Sequence, residues 1–311
     1  MIVVTEFMNE AALAPLRRHH RVHYDPTLAD RQQDLPELLA ETQALIVRNR
    51  TRVTAPLLEA APHLTCIGRL GVGLDNLDLH ACSERGVAVF PATGANDQSV
   101  AEYVIGTAML LLRGAYRVNQ RMIAGDWPRT QCSGREISGK SIGLIGFGSI
   151  GQKTARLATA LGMRPLAYDP YLPQSAPAWS GVSRLELSEL LVVADIVSIH
   201  VPLTDATRHL IGETELATMK PDAVLINSSR GAVVDENALA VALRAGHPAG
   251  AALDVFGSEP LNAAAGELFR GIENLILTPH IAGVTAESNQ RVSELIADRV
   301  MAHLAKTAER E

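Results

Sequence analysis

Ser141-Ile142-Gly143-Leu144-Ile145-Gly146-Phe147-Gly148-Ser149-Ile150-Gly151 is the stretch whose reading decides the fold. A short apolar run, Ser141–Ile145, has the length and composition of a buried strand. A Gly-x-Gly-x-x-Gly turn follows it at Gly146, Gly148 and Gly151, and helical periodicity then runs from Ile150 to Ala160. In such a turn the first glycine permits the tight bend and the second lets backbone approach a pyrophosphate. The third lets the helix pack close to the strand, with Ser149 and Ile150 at the helix N-terminus where the phosphate would sit. An acid completes the pattern: Asp169 ends the next strand, within a few residues of the spacing of about 20 at which a carboxylate meets the adenosine ribose hydroxyls. A carboxylate there also repels a 2′-phosphate. Pro170-Tyr171 follow it with no arginine, so the expected cofactor is NAD rather than NADP.

Outward from this turn, short β-branched runs alternate with amphipathic stretches. Strands are predicted at Ile2–Thr5, Ala44–Val47, Cys66–Arg69 and Ala88–Phe90. A second set is predicted at Ser141–Ile145, Arg164–Tyr168, Ile196–Ile199, Ala223–Ile226, Ala251–Leu253 and Leu275–Leu277. Near-continuous apolar strands separated by helices imply parallel sheets covered on both faces, an α/β chain of two doubly wound domains. The longest helix is predicted from about Gln98 towards Ala124, and the last from about Ser288 to Ala305. The expected division is residues 98–284 as the NAD-binding domain, inserted into a domain made of 1–97 and 285–311.

Composition narrows the function. The chain has 311 residues, 47% hydrophobic and 20% charged, which suits two globular domains and excludes a disordered protein. Its net charge of −6 argues against nucleic-acid binding. Val104–Leu112, the longest apolar run, is interrupted by Gly106 and falls far short of the roughly 20 residues of a membrane span. The start of the chain reads as a strand with no basic stretch, so no secretory signal is expected. Cys66, Cys82 and Cys132 lack metal-site spacing, so neither a disulfide framework nor a metal is expected. A reducing cytoplasm is the expected setting.

Three polar residues follow predicted strands, where open parallel sheets bind ligands. They are Arg230 after Ala223–Ile226, Glu259 beyond Ala251–Leu253, and His280 after Leu275–Leu277. Each alone has a plain structural reading as a surface charge, a loop cap or one of ten histidines. Together they suit hydride transfer to a ketone. Histidine, with a reference pKa of about 6.5, can donate the proton. A neighbouring carboxylate favours its protonated ring, and arginine supplies a planar cation for a carboxylate.

This set resembles the D-isomer-specific 2-hydroxyacid dehydrogenase family. The resemblance also takes in Arg69-Leu70-Gly71-Val72-Gly73-Leu74-Asp75-Asn76 and Ser99-Val100-Ala101-Glu102, and it extends over essentially the whole chain. It implies His280 as acid/base, Glu259 as its charged partner, and Arg230 as the residue that binds and polarises a 2-oxo acid. The backbone at Val72 and Gly73 would hold the substrate carboxylate. Asp254 would face the nicotinamide, and Val201, Ser229 and Gly283 would line the dinucleotide site with the glycine loop. A flavodoxin-like substrate domain, a Rossmann cofactor domain and a homodimer are implied as well.

The substrate is less legible. Arg48 directly follows Ala44–Val47 and is placed for substrate contact, whereas Arg50 and Arg52 read equally well as a solvated loop. A second cation suits a dianion such as sulfopyruvate, phosphonooxypyruvate or oxaloacetate. Val47-Arg48-Asn49-Arg50-Thr51 and Glu287-Ser288-Asn289 resemble the (S)-sulfolactate dehydrogenase branch, with parts shared by phosphoglycerate dehydrogenases. A hydroxypyruvate or glyoxylate reductase is the alternative within the family. An NAD-gated interaction protein, as the C-terminal-binding corepressors are, is the alternative outside enzymology.

Overall fold

The computed structural model describes residues 1–114 and 118–308. The chain divides into two units, Met1–Asn96 with Val284–Glu311, and Asp97–Gly283.

The first unit is built on five parallel strands: β1 (Ile2–Val4), β2 (Val22–Tyr24), β3 (Ala44–Val47), β4 (Cys66–Arg69) and β5 (Ala88–Pro91). Their order is β2-β1-β3-β4-β5, the flavodoxin-like arrangement. Register is set by pairs such as Val4 with Ile46 and Ile46 with Gly68. Alternate residues of the central strands feed two cores. Ile2, Val4, Ala44, Ile46 and Cys66 face one side, and Val3, Leu45, Val47 and Ile67 the other. The helix Ala286–Ala308 covers the first side with Val292, Ile296, Ala297, Val300 and Leu304, a stripe at helical spacing.

The second unit carries seven parallel strands: β6 (Ser141–Ile145), β7 (Arg164–Tyr168), β8 (Ser183–Arg184), β9 (Ile196–Ile199), β10 (Val224–Asn227), β11 (Gly250–Leu253) and β12 (Leu275–Leu277). The order β12-β11-β10-β9-β6-β7-β8 reverses direction between β6 and β9, which is where a doubly wound sheet binds a dinucleotide. Ile142 pairs with Ile196 across that switch, and β6 is buried at all five positions.

Among the described residues twelve strands stand against ten predicted, because β2 and β8 are additional. Both are short edge strands. All three residues of β2 are half-buried and both of β8 are exposed, so neither shows an apolar run. The helix predicted from Gln98 towards Ala124 begins at Asp97 and ends at Arg113. Gly114 follows with φ +61°, a left-handed conformation that stops a helix cheaply only at glycine. Residues 115–117 of that prediction lie outside the described residues, and a separate five-residue helix, Asn119–Ile123, follows. No helix among the described residues is long and apolar enough to cross a membrane.

Candidate active site

The glycine turn sits at the end of β6. Gly146 has φ +92°, and a Cβ there would lie 2.7 Å from the His200 carbonyl oxygen and 2.9 Å from a Val201 methyl. The backbone thus turns flush against the end of β9. A Cβ on Gly151 would meet the Gly146 oxygen at 2.6 Å, whereas one on Gly148 would point into open space. Gly148 also opens the helix Ser149–Ala160 without a side-chain cap, leaving the first helical amides at Ser149 and Ile150 for an outside acceptor.

Asp169 stands half-buried beside this turn. Its Oδ2 accepts the Phe147 N–H at 2.8 Å, and its Oδ1 accepts those of Tyr171 and Leu172 at 3.0 and 3.1 Å. The carboxylate therefore ties the turn to the loop after β7, and its remaining lone pairs can still take hydroxyl hydrogens. Open space over Gly148, uncapped amides and an adjacent carboxylate fit a pyrophosphate and an unphosphorylated ribose.

The acid/base residues come together at the other half of the same sheet. His280 Nδ1 lies 2.7 Å from Glu259 Oε2, and its Nε2 makes no hydrogen bond within the described protein. Glu259 Oε1 accepts the Phe256 N–H at 3.0 Å. Burial opposes ionisation of Glu259, but the hydrogen bonds from His280 and Phe256 and the charges of His280 and Arg230 outweigh it. Its carboxyl is held below the ordinary value. Arg230 is half-buried, donates from Nη1 to the Ser229 carbonyl at 2.6 Å, and is near enough for its charge to act on Glu259.

Several residues unassigned from sequence hold this arrangement. Asn227, fully buried at the end of β10, accepts the Ser229 N–H at 3.1 Å and its O–H at 2.9 Å through Oδ1. It donates from Nδ2 to the Arg230 carbonyl at 2.9 Å. Asparagine at a strand end is a known turn former, which was the available signal. A Cβ on Gly231 would lie 1.9 Å from the Phe256 carbonyl carbon, so this glycine brings the Arg230 loop against the loop of Glu259.

Asp254 is also fully buried. Its Oδ1 accepts the Thr278 O–H at 2.6 Å and the Ile281 N–H at 2.8 Å, and its Oδ2 the Ala282 N–H at 2.7 Å. Tyr103 in turn lies 2.7 Å from the Thr278 hydroxyl. The Asp254 carbonyl accepts the His280 N–H at 2.8 Å. Asp254 thus organises the loop that presents His280. Ser229 and Gly283 flank these two loops, and Val201 abuts the glycine turn.

The remaining candidates belong to the first unit. The N–H groups of Val72 and Gly73, after β4, have no acceptor among the described residues. Arg48, after β3, is half-buried and donates from Nη2 to Asn289 Oδ1 at 2.8 Å. Arg50 is exposed and paired with Asp30, and Arg52 is exposed.

Known proteins match this pattern. The family model for the D-isomer specific 2-hydroxyacid dehydrogenase NAD binding domain matches residues 105–282. The chain is 52% identical to an (S)-sulfolactate dehydrogenase of Chromohalobacter salexigens, over 96% of each chain. It is 37% identical to a hydroxypyruvate reductase of Thermotoga maritima over 88% of each. Among solved structures it resembles the D-lactate dehydrogenase of Aquifex aeolicus complexed with NAD and lactic acid. That match has a TM-score of 0.86 and 27% identity, over 99% of this chain and 97% of that one. The chain therefore belongs to the D-isomer specific 2-hydroxyacid dehydrogenase family and is an NAD-dependent oxidoreductase of 2-hydroxy acids.

Proposed function

We propose that the protein interconverts a 2-oxo acid carrying a second anionic group and its D-configured 2-hydroxy acid, with sulfopyruvate and sulfolactate as the pair. The observation that carries the chemistry is the Glu259–His280 hydrogen bond, which leaves His280 Nε2 for the substrate. NADH, when bound, supplies the hydride that goes to the carbonyl carbon. His280 then gives its Nε2 proton to the carbonyl oxygen, and in the reverse direction takes it back. Glu259 fixes the ring through its contact with Nδ1. Arg230 holds the substrate carboxylate and draws charge onto the carbonyl oxygen, a fork geometry that lysine does not offer. The Val72 and Gly73 amides hold the carboxylate as well. The glycine turn with Ser149, Ile150, Val201, Ser229 and Gly283 would hold the dinucleotide, with Asp169 toward its ribose and the Asp254 loop toward its nicotinamide.

Two facts support a dianionic substrate: the similarity to a sulfolactate dehydrogenase, and a half-buried Arg48 with no carboxylate partner among the described residues. The (S) descriptor agrees with D specificity, since the sulfonate arm outranks the carboxylate in naming. The same reading extends to a homodimer, which the family resemblance implies, working in a reducing cytoplasm. The test is NADH consumption against sulfopyruvate, phosphonooxypyruvate, hydroxypyruvate, glyoxylate, oxaloacetate and pyruvate, repeated with NADPH. Highest kcat/KM for sulfopyruvate with NADH is expected. Preference for hydroxypyruvate or glyoxylate would keep the chemistry and discard the second anion. Preference for NADPH would overturn the reading of Asp169.

A further inference from the structure

The loop Arg48–Thr51 is fixed without any help from the Arg48 side chain. Glu6, at the end of β1 and 4% exposed, accepts the N–H groups of Arg48 and Thr51 through Oε1, at 2.8 and 3.0 Å. Its Oε2 accepts those of Asn49 and Arg50, at 3.2 and 3.0 Å. Asn76 Nδ2 donates to the Arg48 and Thr51 carbonyls at 3.2 and 2.6 Å, and the Thr51 and Thr5 hydroxyls lie 2.7 Å apart. The negative charge of Glu6 is thus met by four backbone donors rather than by the guanidinium.

The charge of Arg48 is handled differently from that of Arg50, two residues on, which pairs with Asp30. Arg17, Arg31 and Arg50 of the same unit each pair with carboxylates. The side-chain partner of Arg48 is the neutral amide oxygen of Asn289. Asn289 is itself held by its place in the helix Ala286–Ala308. Its N–H goes to the Thr285 carbonyl at 3.0 Å, and Thr285 and Ser288 exchange N–H to hydroxyl bonds at 2.9 and 3.0 Å. Burial disfavours the Arg48 charge while Glu6 favours it, so the cation is kept partly desolvated with no ion-pair partner. A second anion would meet a cation aimed by one hydrogen bond and still carrying its full charge.

We infer that Asn289 is the residue that sets preference for a dianionic substrate, by holding the Arg48 guanidinium in place through an uncharged oxygen. This rests on the proposal that Arg48 takes the distal anion. Asparagine and aspartate have the same shape, so an aspartate at 289 would hold Arg48 equally well and cancel its charge. Asn289 acts through Arg48 and is a positioning residue rather than a catalytic one.

The test uses the full chain with NADH and compares sulfopyruvate with pyruvate in Asn289→Asp, Asn289→Ala, Arg48→Ala and the double variant Arg48→Ala/Asn289→Ala. Asn289→Asp is expected to raise KM for sulfopyruvate about tenfold, roughly the worth of one charged contact, and Asn289→Ala severalfold. Both should leave kcat and the constants for pyruvate within about twofold. In the Arg48→Ala background, Asn289→Ala should add less than about twofold, since its effect passes through Arg48. If Arg48→Ala removes the preference for sulfopyruvate but both Asn289 variants keep it, the inference fails and the role of Arg48 stands. If Arg48→Ala itself leaves the preference unchanged, the underlying proposal fails. Equal losses for both substrates in the Asn289 variants would mark a structural role and also overturn the inference.

Discussion

His280 has φ +55°, a left-handed backbone conformation that costs a residue with a Cβ on the order of 1 kcal/mol or more. Asp254 holds it there by accepting the His280 N–H on its carbonyl and three further hydrogens on its carboxylate. The ring therefore points at Glu259 by construction rather than by chance. His200 behaves differently. It lies at the end of β9 with Nε2 3.0 Å from the Ser198 hydroxyl, and burial pushes its imidazole down to about 4. A folded-state value below the unfolded one near 6.5 means stability is fully present above pH 6.5 and is lost as pH falls towards 4. The loss is about 1 kcal/mol per pH unit across that window. Thermal melts of His200→Asn between pH 6.5 and 4 should show a shallower fall than the parent protein. Equal slopes would show that His200 is not the group responsible. The contribution of Glu259 has the same sign but begins lower, as pH drops past its ordinary value of 4.5.

At the scale of elements, the site depends on loops meeting at strand ends. Gly231 makes one such close contact, with the Phe256 carbonyl where a side chain would begin. Gly231→Ala must push the Arg230 and Glu259 loops apart. A loss of about a hundredfold in kcat/KM is expected, as for an ångström-scale displacement of catalytic groups, with about 1–3 kcal/mol of stability. NADH titration of the same variant should show a smaller change, because the glycine turn at Gly146 lies on a different strand and only Ser229 of the dinucleotide site belongs to the displaced loop. Parent-like turnover would remove Gly231 from the account. The sequence made Arg230, Glu259 and His280 legible because each follows a recognisable apolar strand. It did not reveal Asn227, Gly231 or Thr278 as their supports, nor Glu6 and Asn289 as those of Arg48. Glu6 serves amides some forty residues away, and Asn289 meets Arg48 across 241 positions, so no local pattern carries either contact. The strands β2 and β8 escaped for a related reason: short edges with partly exposed residues lack the apolar run that marks a central strand.

Across the whole molecule, two parallel sheets of five and seven strands explain why alternation of strands and helices was readable from end to end. The helix Ala286–Ala308 returns to the first unit, which makes that unit discontinuous in sequence. It also brings Asn289 to Arg48. The net charge of −6 gives no general attraction for an anionic substrate, so the reading relies on the local cations Arg48 and Arg230. The central claim is that His280 moves the proton while Arg230 holds the 2-oxo acid. The most direct measurement is single-turnover reduction of sulfopyruvate by His280→Ala and Arg230→Ala, alongside NADH titration. Turnover should fall by about a thousandfold or more in both while NADH affinity stays within about threefold. Turnover close to that of the parent protein in either variant would contradict the central claim.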